Sequence, residues 1–178
     1  MSKARELANL RGTPTDSNIL LQSTAGDAIT AGSGTCNIAM GLNAFGAGTT
    51  GDDNVAIGRL ALGAGVTTGS NNIALGVTSM DALTTGICNV AIGTDALGAS
   101  TTGQGNVAIG HLAMGTGIAV ESSSNLGSRN VAIGVCALKL VTTGYDNVSF
   151  GAMSLDAVTT GFGNIAAGNK FYNQIGAL

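Results

Sequence analysis

Large and charged side chains are scarce in this 178-residue chain: aromatic residues make up 3%, charged residues 10%, and tryptophan is absent. A compact three-dimensional core needs large side chains that interdigitate, so the composition argues against an ordinary globular core. Disorder is disfavoured as well, because 44% of the residues are hydrophobic and the net charge is only −3, outside the polar, highly charged range of disordered chains. The composition favours a thin, regularly stacked structure.

Strong charge and long apolar runs are also absent. The acidic net charge is small and dispersed, whereas a nucleic-acid-binding protein carries a basic face. The chain has no run of about 18 apolar residues that could cross a membrane. Lys3 and Arg5 are not followed by the apolar segment of a secretory signal. We therefore predict no nucleic-acid partner and no membrane partner, and we expect the protein to be made and assembled in a cytoplasm.

Residues that commonly perform catalysis or bind metals are few. Cys36, Cys88 and Cys136 do not suggest a disulfide framework, and we interpret them as small buried hydrophobic residues. The single histidine, His111, is predicted to face solvent because equivalent positions in the chain hold dissimilar residues. Acidic residues lie mostly at turns as solvated carboxylates, with Ca²⁺ ligation as the alternative interpretation. We predict that the protein is not an enzyme and has no catalytic residues, cofactor or metal.

One motif occurs eight times with small variations and dominates the chain. It reads G-x-x-N-[VI]-[AS]-Φ-G, where Φ is mostly a large apolar residue. The intervals between successive asparagines are 17, 18, 17, 17, 24, 17 and 17 residues. The asparagines are Asn37, Asn54, Asn72, Asn89, Asn106, Asn130, Asn147 and Asn164.

A period of 17 residues is too short for a helical-hairpin repeat and fits one coil of a parallel β-solenoid. We predict an all-β fold, a β-roll of about eight 17-residue coils, each with two short strands and two turns. Asn-Val-Ala-Ile would form the first strand, and Ala61-Leu62 and their equivalents the second. Stacked asparagines would form a ladder of side-chain amides along the rod.

The alternation in Val-Ala-Ile predicts two unlike strand faces. We expect Val and Ile to form the thin core, and the small face to contact other copies of the chain. Each coil offers little apolar area against the backbone entropy lost on folding, so we predict a homo-oligomer in which three thin rods share one axis. The small face comprises Ala56, Ala74, Ala91, Ala108, Ala132, Ser149 and Ala166.

The repeat in 17-residue steps over residues 34–172 resembles the left-handed parallel β-roll of trimeric autotransporter adhesin heads, and similar repeats in phage tail fibres. The opening Ser-Lys-Ala-Arg-Glu-Leu-Ala-Asn-Leu, residues 2–10, is similar to the start of many phage tail-fibre and related structural proteins. The resemblance implies a left-handed, closely packed homotrimer. We see no signal peptide, heptad stalk or C-terminal membrane anchor, and therefore expect a virion protein rather than a bacterial adhesin.

We divide the chain into an N-terminal anchor and first-rung cap (residues 1–31), the β-roll repeats (32–172, with a long unit over 106–129) and a C-terminal tail (173–178). Residues 2–10 are predicted to form a short helix that Gly12 and Pro14 end. This segment is the candidate anchor to other virion proteins. The candidate anchor residues are Lys3, Arg5, Leu7, Leu10 and Arg11.

Two departures from the repeat mark candidate binding regions. The fifth unit is seven residues longer than the usual period, and insertions in solenoids commonly form loops that bind partners. Five of the six aromatic residues lie in the last 34 positions, where they form either a cap over the end of the trimer or a tip that binds a host glycan or protein. The candidate partner or receptor residues are Glu121, Ser123, Asn125, Arg129, Phe162, Phe171 and Tyr172.

Our leading functional prediction is a structural or adhesive virion protein. It would be a trimeric phage tail fibre or spike, attached through its N-terminus and involved in host attachment. The alternatives are a capsid-decorating protein that stabilises the phage head, a fragment of a bacterial adhesin head, and an ice-binding β-solenoid whose Thr-Thr-Gly turns would order water. A β-helical glycan lyase is disfavoured because the repeats show no carboxylate pair.

Overall fold

The structure, a computed structural model, describes residues 10–11, 17–29, 33–116 and 127–169. Within these ranges the regular structure consists of ten short strands and no helix. All ten strands lie in one sheet, in chain order. The strands are β1 (Leu10–Arg11), β2 (Ile19–Leu21), β3 (Ile38–Met40), β4 (Val55–Ile57), β5 (Ile73–Leu75), β6 (Val90–Ile92), β7 (Val107–Ile109), β8 (Val131–Ile133), β9 (Val148–Phe150) and β10 (Ile165–Ala167).

Strands β2 to β10 pair in parallel, and each residue faces the same repeat position of the next coil, as Val55 faces Ile73. Even across the long fifth unit the register is kept, with Val107 opposite Val131. The predicted all-β parallel solenoid with coils about 17 residues apart is confirmed. Its nine parallel rungs span about 38 Å at the usual strand spacing.

The N-terminal end of the sheet is covered by β1, which pairs antiparallel with β2. Leu10 and Arg11 are therefore in a strand, so the predicted short helix does not extend to residue 10. The remaining residues of that predicted helix lie outside the described part of the chain. An antiparallel strand at this edge pairs backbone groups of β2 that would otherwise be exposed.

Within the described residues each coil shows one strand, so the prediction of a second strand at Ala61-Leu62 was wrong. Both residues lie in a turn, and Leu60 and Leu62 have φ angles of 58° and 50°, which belong to the left-handed region rather than to a strand. A 17-residue coil has to reverse its direction within a few residues. Left-handed residues curl the backbone tightly there and place the Leu62 side chain in the interior, where it is fully buried.

The interior is lined by the small strand face, which reverses our prediction for the two faces. Ala56 and Ala91 are fully buried, whereas Ile57 and Ile92 are 38% and 37% exposed. The interior is narrow, and in each of these coils it takes a strand alanine together with a larger side chain eight positions after the ladder asparagine. The larger side chains are Phe45, Leu62, Met80, Leu97, Met114 and Leu138, all fully buried. Leu83 and Val141 are buried as well in their coils.

The repeated asparagines form a buried ladder that pairs mainly backbone groups. The Asn54 backbone N–H donates to Asn37 Oδ1 at 2.9 Å, and Asn54 Oδ1 in turn accepts the N–H of Asn72 at 3.0 Å. Asn54 Nδ2 donates to the carbonyl oxygen of Gly69 at 3.0 Å. One side chain therefore satisfies two backbone groups of the following coil, which explains why asparagine holds this position in every copy.

Asn18 is a ninth ladder member, in addition to the eight asparagines of the motif. It is 7% exposed, accepts the Asn37 N–H at 2.7 Å and donates to the Gly34 carbonyl at 2.8 Å. Gln22 stands where the other copies have glycine, with φ at 106°, and this substitution hides the unit. The Asn-Ile pair at residues 18–19, repeated 19 residues later at Asn37, is the signal that could have found it.

Candidate functional site

An apolar strip, which we call the outer sheet face, is formed by the residues one and three positions after each ladder asparagine. These side chains are apolar and partly or fully exposed in almost every coil. A strip about 38 Å long and 10 Å wide covers roughly 400 Å², within the range of the largest apolar patch on a typical monomer, which is often functional. Its central members are Ile73, Leu75, Val90, Ile92, Val107, Ile109, Val131 and Ile133.

We predicted that the small strand face contacts other copies of the chain. It cannot do so, because it is buried inside each coil. Among its members, Ala74, Ala108, Ala132 and Ser149 are fully buried. Ala166 alone is partly exposed, since no described coil follows it. Contacts between copies therefore require a different surface, and the outer sheet face is apolar along the whole rod.

An aromatic and charged cluster lies near the C-terminal end of the rod. The Tyr145 and Phe162 rings stack at 5.1 Å between centroids and 4° between planes, and the Arg129 guanidinium lies 5.9 Å from the Tyr145 centroid. Arg129 also binds Asp146 through two hydrogen bonds, Nε to Oδ1 at 2.7 Å and Nη2 to Oδ2 at 2.9 Å. Hydrogen bonding to Arg129 lowers the pKa of Asp146.

Of the predicted partner residues, the structure thus places Arg129 and Phe162 in one cluster, linked through Tyr145. Phe162 is 65% exposed and forms the outer end of this cluster. Tyr145 is not among the predicted partner residues, although it stands two residues before a ladder asparagine, as Phe162 does. The predicted residues outside the described part of the chain are Lys3, Arg5, Leu7, Glu121, Ser123, Asn125, Phe171 and Tyr172.

The C-terminal end of the described solenoid is open. A cavity of about 490 Å³ lies between β10 and the turn of the preceding coil, with Leu155, Val158 and Ala166 among its lining residues. Ile165 at this end is 80% exposed. The N-terminal end differs, since β1 covers it.

The remaining polar candidates lie at the surface. His111 is exposed. The pKa of Asp81 is raised by partial burial and by the nearby Asp95 carboxylate. Across residues 17–29, 33–116 and 127–169, no group of three or more His, Cys, Asp or Glu side chains could hold a metal ion.

The prediction that the three cysteines are buried was wrong. Cys36 and Cys88 are exposed and Cys136 is half-buried, all as free thiols. Each has a φ angle of 57–58°, in the left-handed turn positions of the coil. The same φ range also occurs at buried turn residues such as Leu62, so the exposure of the cysteines reflects their places in the coil: Cys36 and Cys88 directly precede the buried Asn37 and Asn89.

The threonine pairs do not form two matching rows. In the pair Thr67-Thr68, Thr67 is buried and donates from Oγ1 to the Leu83 carbonyl at 3.0 Å, whereas Thr68 is exposed. Thr84 likewise donates to the Thr101 carbonyl at 2.9 Å. The first threonine of these pairs therefore stabilises the stack, and the second lies in a single row at the corner.

No helix in the described ranges has the length and apolarity to cross a membrane. Comparisons of the chain with models of protein families, with curated proteins and with solved structures found no match.

Proposed function

We propose that the protein is a non-enzymatic structural protein that assembles as a homotrimer through its outer sheet face. In this proposal the trimer forms the shaft of a fibre or spike on a virus particle and takes part in attachment to the host. The N-terminal segment joins the shaft to other virion proteins, and the aromatic C-terminal end points away from the particle.

The observation that carries the proposal is the continuous apolar strip on the outside of a thin rod. Ile92 is 37% exposed and Ile73 is 39% exposed in the single chain, and both would be removed from water in an assembly. Burial of apolar surface contributes about 25 cal/mol per Å², so about 400 Å² per chain contributes roughly 10 kcal/mol before the cost of association. This free energy adds to the small stabilisation that comes from the interior of each coil.

Closed threefold symmetry would bury this strip in every copy. Each contact in such a ring joins one edge of a strip to the other edge of the neighbouring strip, and the ring closes so that no copy leaves its strip exposed. The outer sheet face runs parallel to the rod axis, so rods packed side by side bring identical coils to the same height. Three copies around one axis is the number implied by the resemblance of the repeat to adhesin heads and tail fibres.

The native mass tests the assembly directly. Sedimentation equilibrium should give about 52 kDa, three times the 17.3 kDa of one chain. Ile92→Glu places one carboxylate of each chain at the shared interface, and an unpaired buried charge costs about 3–5 kcal/mol. We expect this variant to sediment as a monomer.

The matched control is Val66→Glu, which changes a 58% exposed apolar residue outside the strands. We expect it to remain trimeric. A monomeric wild-type protein, or a trimer that tolerates Ile92→Glu, would contradict assembly through this face.

The virion role needs a separate test. Antibodies against the protein should label projections on particles in electron micrographs, and purified trimer should compete with particles for host cells. Labelling confined to the capsid surface would instead indicate a decorating protein. Absence of labelling on any particle would overturn the virion role and leave the assembly unaffected.

A further inference from the structure

Two exposed side chains of opposite charge flank strand β4 in one coil. Asp53 stands one position before the ladder residue Asn54, and Arg59 stands five positions after it. Strand β4 itself, Val55–Ile57, lies between them and is about 10 Å long at the usual rise per residue. The two charges therefore mark the opposite edges of the outer sheet face. We call them the leading edge (the row one position before each ladder asparagine) and the trailing edge (the row five positions after it).

Neither of these two charges is used inside its own chain. Among the described residues, no ion pair and no side-chain hydrogen bond joins Asp53 or Arg59 to another residue. Neighbouring charges do have such partners. Asp52 Oδ1 accepts hydrogen bonds from the Thr35 backbone N–H at 2.7 Å and from its hydroxyl at 3.0 Å, and Arg129, on the leading edge, binds the aspartate of the following coil. Asp53 and Arg59 thus remain available to a group of opposite charge at each edge.

A threefold ring brings the two edges of one coil together between copies. Copies in a closed ring are related by rotation alone, without a shift along the axis, so each coil meets the same coil of its neighbour. The leading edge of one strip then adjoins the trailing edge of the next. At the height of β4, Asp53 of one copy faces Arg59 of the neighbouring copy, and the ring repeats this contact three times.

We propose that Asp53 pairs with Arg59 of the neighbouring copy, and that these three ion pairs between chains fix the height at which the rods pack. This inference rests on the proposed homotrimer. The observation that carries it is that opposite charges occur in the same coil, which is the match that closure of the ring requires. No like charges oppose the match, because in every other coil from Asn37 to Asn147 at least one of the two facing edge residues is uncharged.

The apolar strip by itself does not fix this height. It carries large apolar side chains at the same two positions in almost every coil, so rods shifted by one coil, about 4.8 Å, would still bury them. A shifted contact does not close into a ring and propagates as an open filament. It would place Arg59 opposite Cys36 or Asn71 and leave the charge unpaired. The ion pairs therefore favour the closed trimer over a filament.

Carbodiimide coupling tests the contact directly, because it forms an amide, with loss of one water, between a carboxylate and an amine that touch. The conservative variant Arg59→Lys supplies the amine and keeps the positive charge. We expect coupling to give covalently linked dimers and trimers on a denaturing gel, and mass spectrometry to find Asp53 joined to position 59. Trimers assembled from a mixture of isotopically labelled and unlabelled chains should yield this linked pair of peptides with one labelled member, which shows that the amide joins two copies.

Two control variants define the contact. Asp53→Asn in the Arg59→Lys chain should abolish the linked peptides, since an amide side chain does not couple. Thr94→Lys, made in the otherwise unchanged chain, places an exposed amine on the same trailing edge two coils, about 9.6 Å, farther along. We expect no amide between Asp53 and position 94. Such an amide would place the rods at another height and would overturn the proposal.

Charge reversal measures the effect on assembly. Asp53→Arg and Arg59→Asp each place like charges at all three contacts, although they change the net charge in opposite directions. An exposed ion pair shifts an equilibrium by about two- to fivefold, and the ring contains three, so we expect either variant to raise the trimer dissociation constant by roughly tenfold or more at low salt. The double variant restores opposite charges and should return the constant to near the wild-type value. Sedimentation equilibrium over a dilution series measures these constants.

The two levels of the inference fail in different ways. A trimer that yields no amide between positions 53 and 59, or whose dissociation constant is unchanged in both single variants, would overturn the ion pairs and leave the proposed trimer standing. A wild-type protein that sediments as a monomer would overturn the proposed assembly and the ion pairs together.

Discussion

Removing one central asparagine of the ladder should destabilise the protein far more than removing the last one. Asn89 Oδ1 accepts the backbone N–H of Asn106 at 2.9 Å, and Asn89 Nδ2 donates to the Gly103 carbonyl at 2.8 Å. The Asn89→Ala variant therefore leaves two buried backbone groups without these partners. Each such group costs about 1–3 kcal/mol, so we expect a loss of roughly 2–6 kcal/mol in the free energy of unfolding.

Asn164→Ala is the matched control because it is the same substitution at the same repeat position. Asn164 Nδ2 donates to Asn147 Oδ1 at 2.9 Å, and among the described residues nothing is bonded to its Oδ1. Its backbone N–H keeps its bond to Asn147 in the variant. We expect a loss of only about 0.5–1.5 kcal/mol, the value of one ordinary hydrogen bond.

Urea denaturation followed by circular dichroism, at one protein concentration for all variants, measures both costs. The informative quantity is the difference between the two variants, since each removes the same side-chain atoms. Equal losses in the two variants would refute the reasoning, because they would show that the cost comes from the asparagine itself and not from the orphaned backbone groups of the next coil.

Three further substitutions test other features of the coil. Gly93→Ala should cost at least about 2 kcal/mol in thermal unfolding, because φ is 131° and the new Cβ would lie 2.7 Å from the backbone of Gly110. Gly105→Ala should cost clearly less, because φ is 63° and the new Cβ would meet only the Arg129 side chain, at an ordinary contact distance of 3.6 Å. Ser100→Ala should stabilise by about 1 kcal/mol in urea titration, since Ser100 Oγ is buried without a partner among the described residues. Asp81 has a pKa above its usual 3.8, so its protonated form stabilises the fold. This contribution is full below pH 3.8 and is lost as pH rises through the folded-state pKa. Asp81→Asn should remove this pH-dependent loss of stability and raise the melting temperature at pH 7, by an amount corresponding to less than about 1 kcal/mol.

The coil period, the parallel stacking and the positions of the ladder asparagines could be predicted because they depend on identical residues recurring at fixed spacing. The second strand could not. Ala61-Leu62 is compatible with a strand by residue type, and only the need to close a 17-residue coil forces Leu60 and Leu62 to positive φ. Propensity describes the residue, whereas the closure of the coil constrains the whole turn.

The candidate sites were predicted unevenly for the same reason. Arg129 and Phe162 were singled out from two separate departures from the repeat, and the sequence did not indicate that they lie in one cluster. Their connection through Tyr145 depends on contacts between successive coils, which chain order alone does not reveal. Residues within the repeat were easier to assign to a position than to a surface.

The sequence by itself determined the repeat, the strand alternation and the separation of Val and Ile from Ala. It did not determine which of these two faces lies inside. A hydrophobic-inside rule favours Val55 and Ile57, yet Ala56 is buried and Ile57 is partly exposed. The tertiary structure decided this because the interior of a single-strand coil holds only a methyl group beside Leu62, and the larger side chains remain outside, available for contact with other copies.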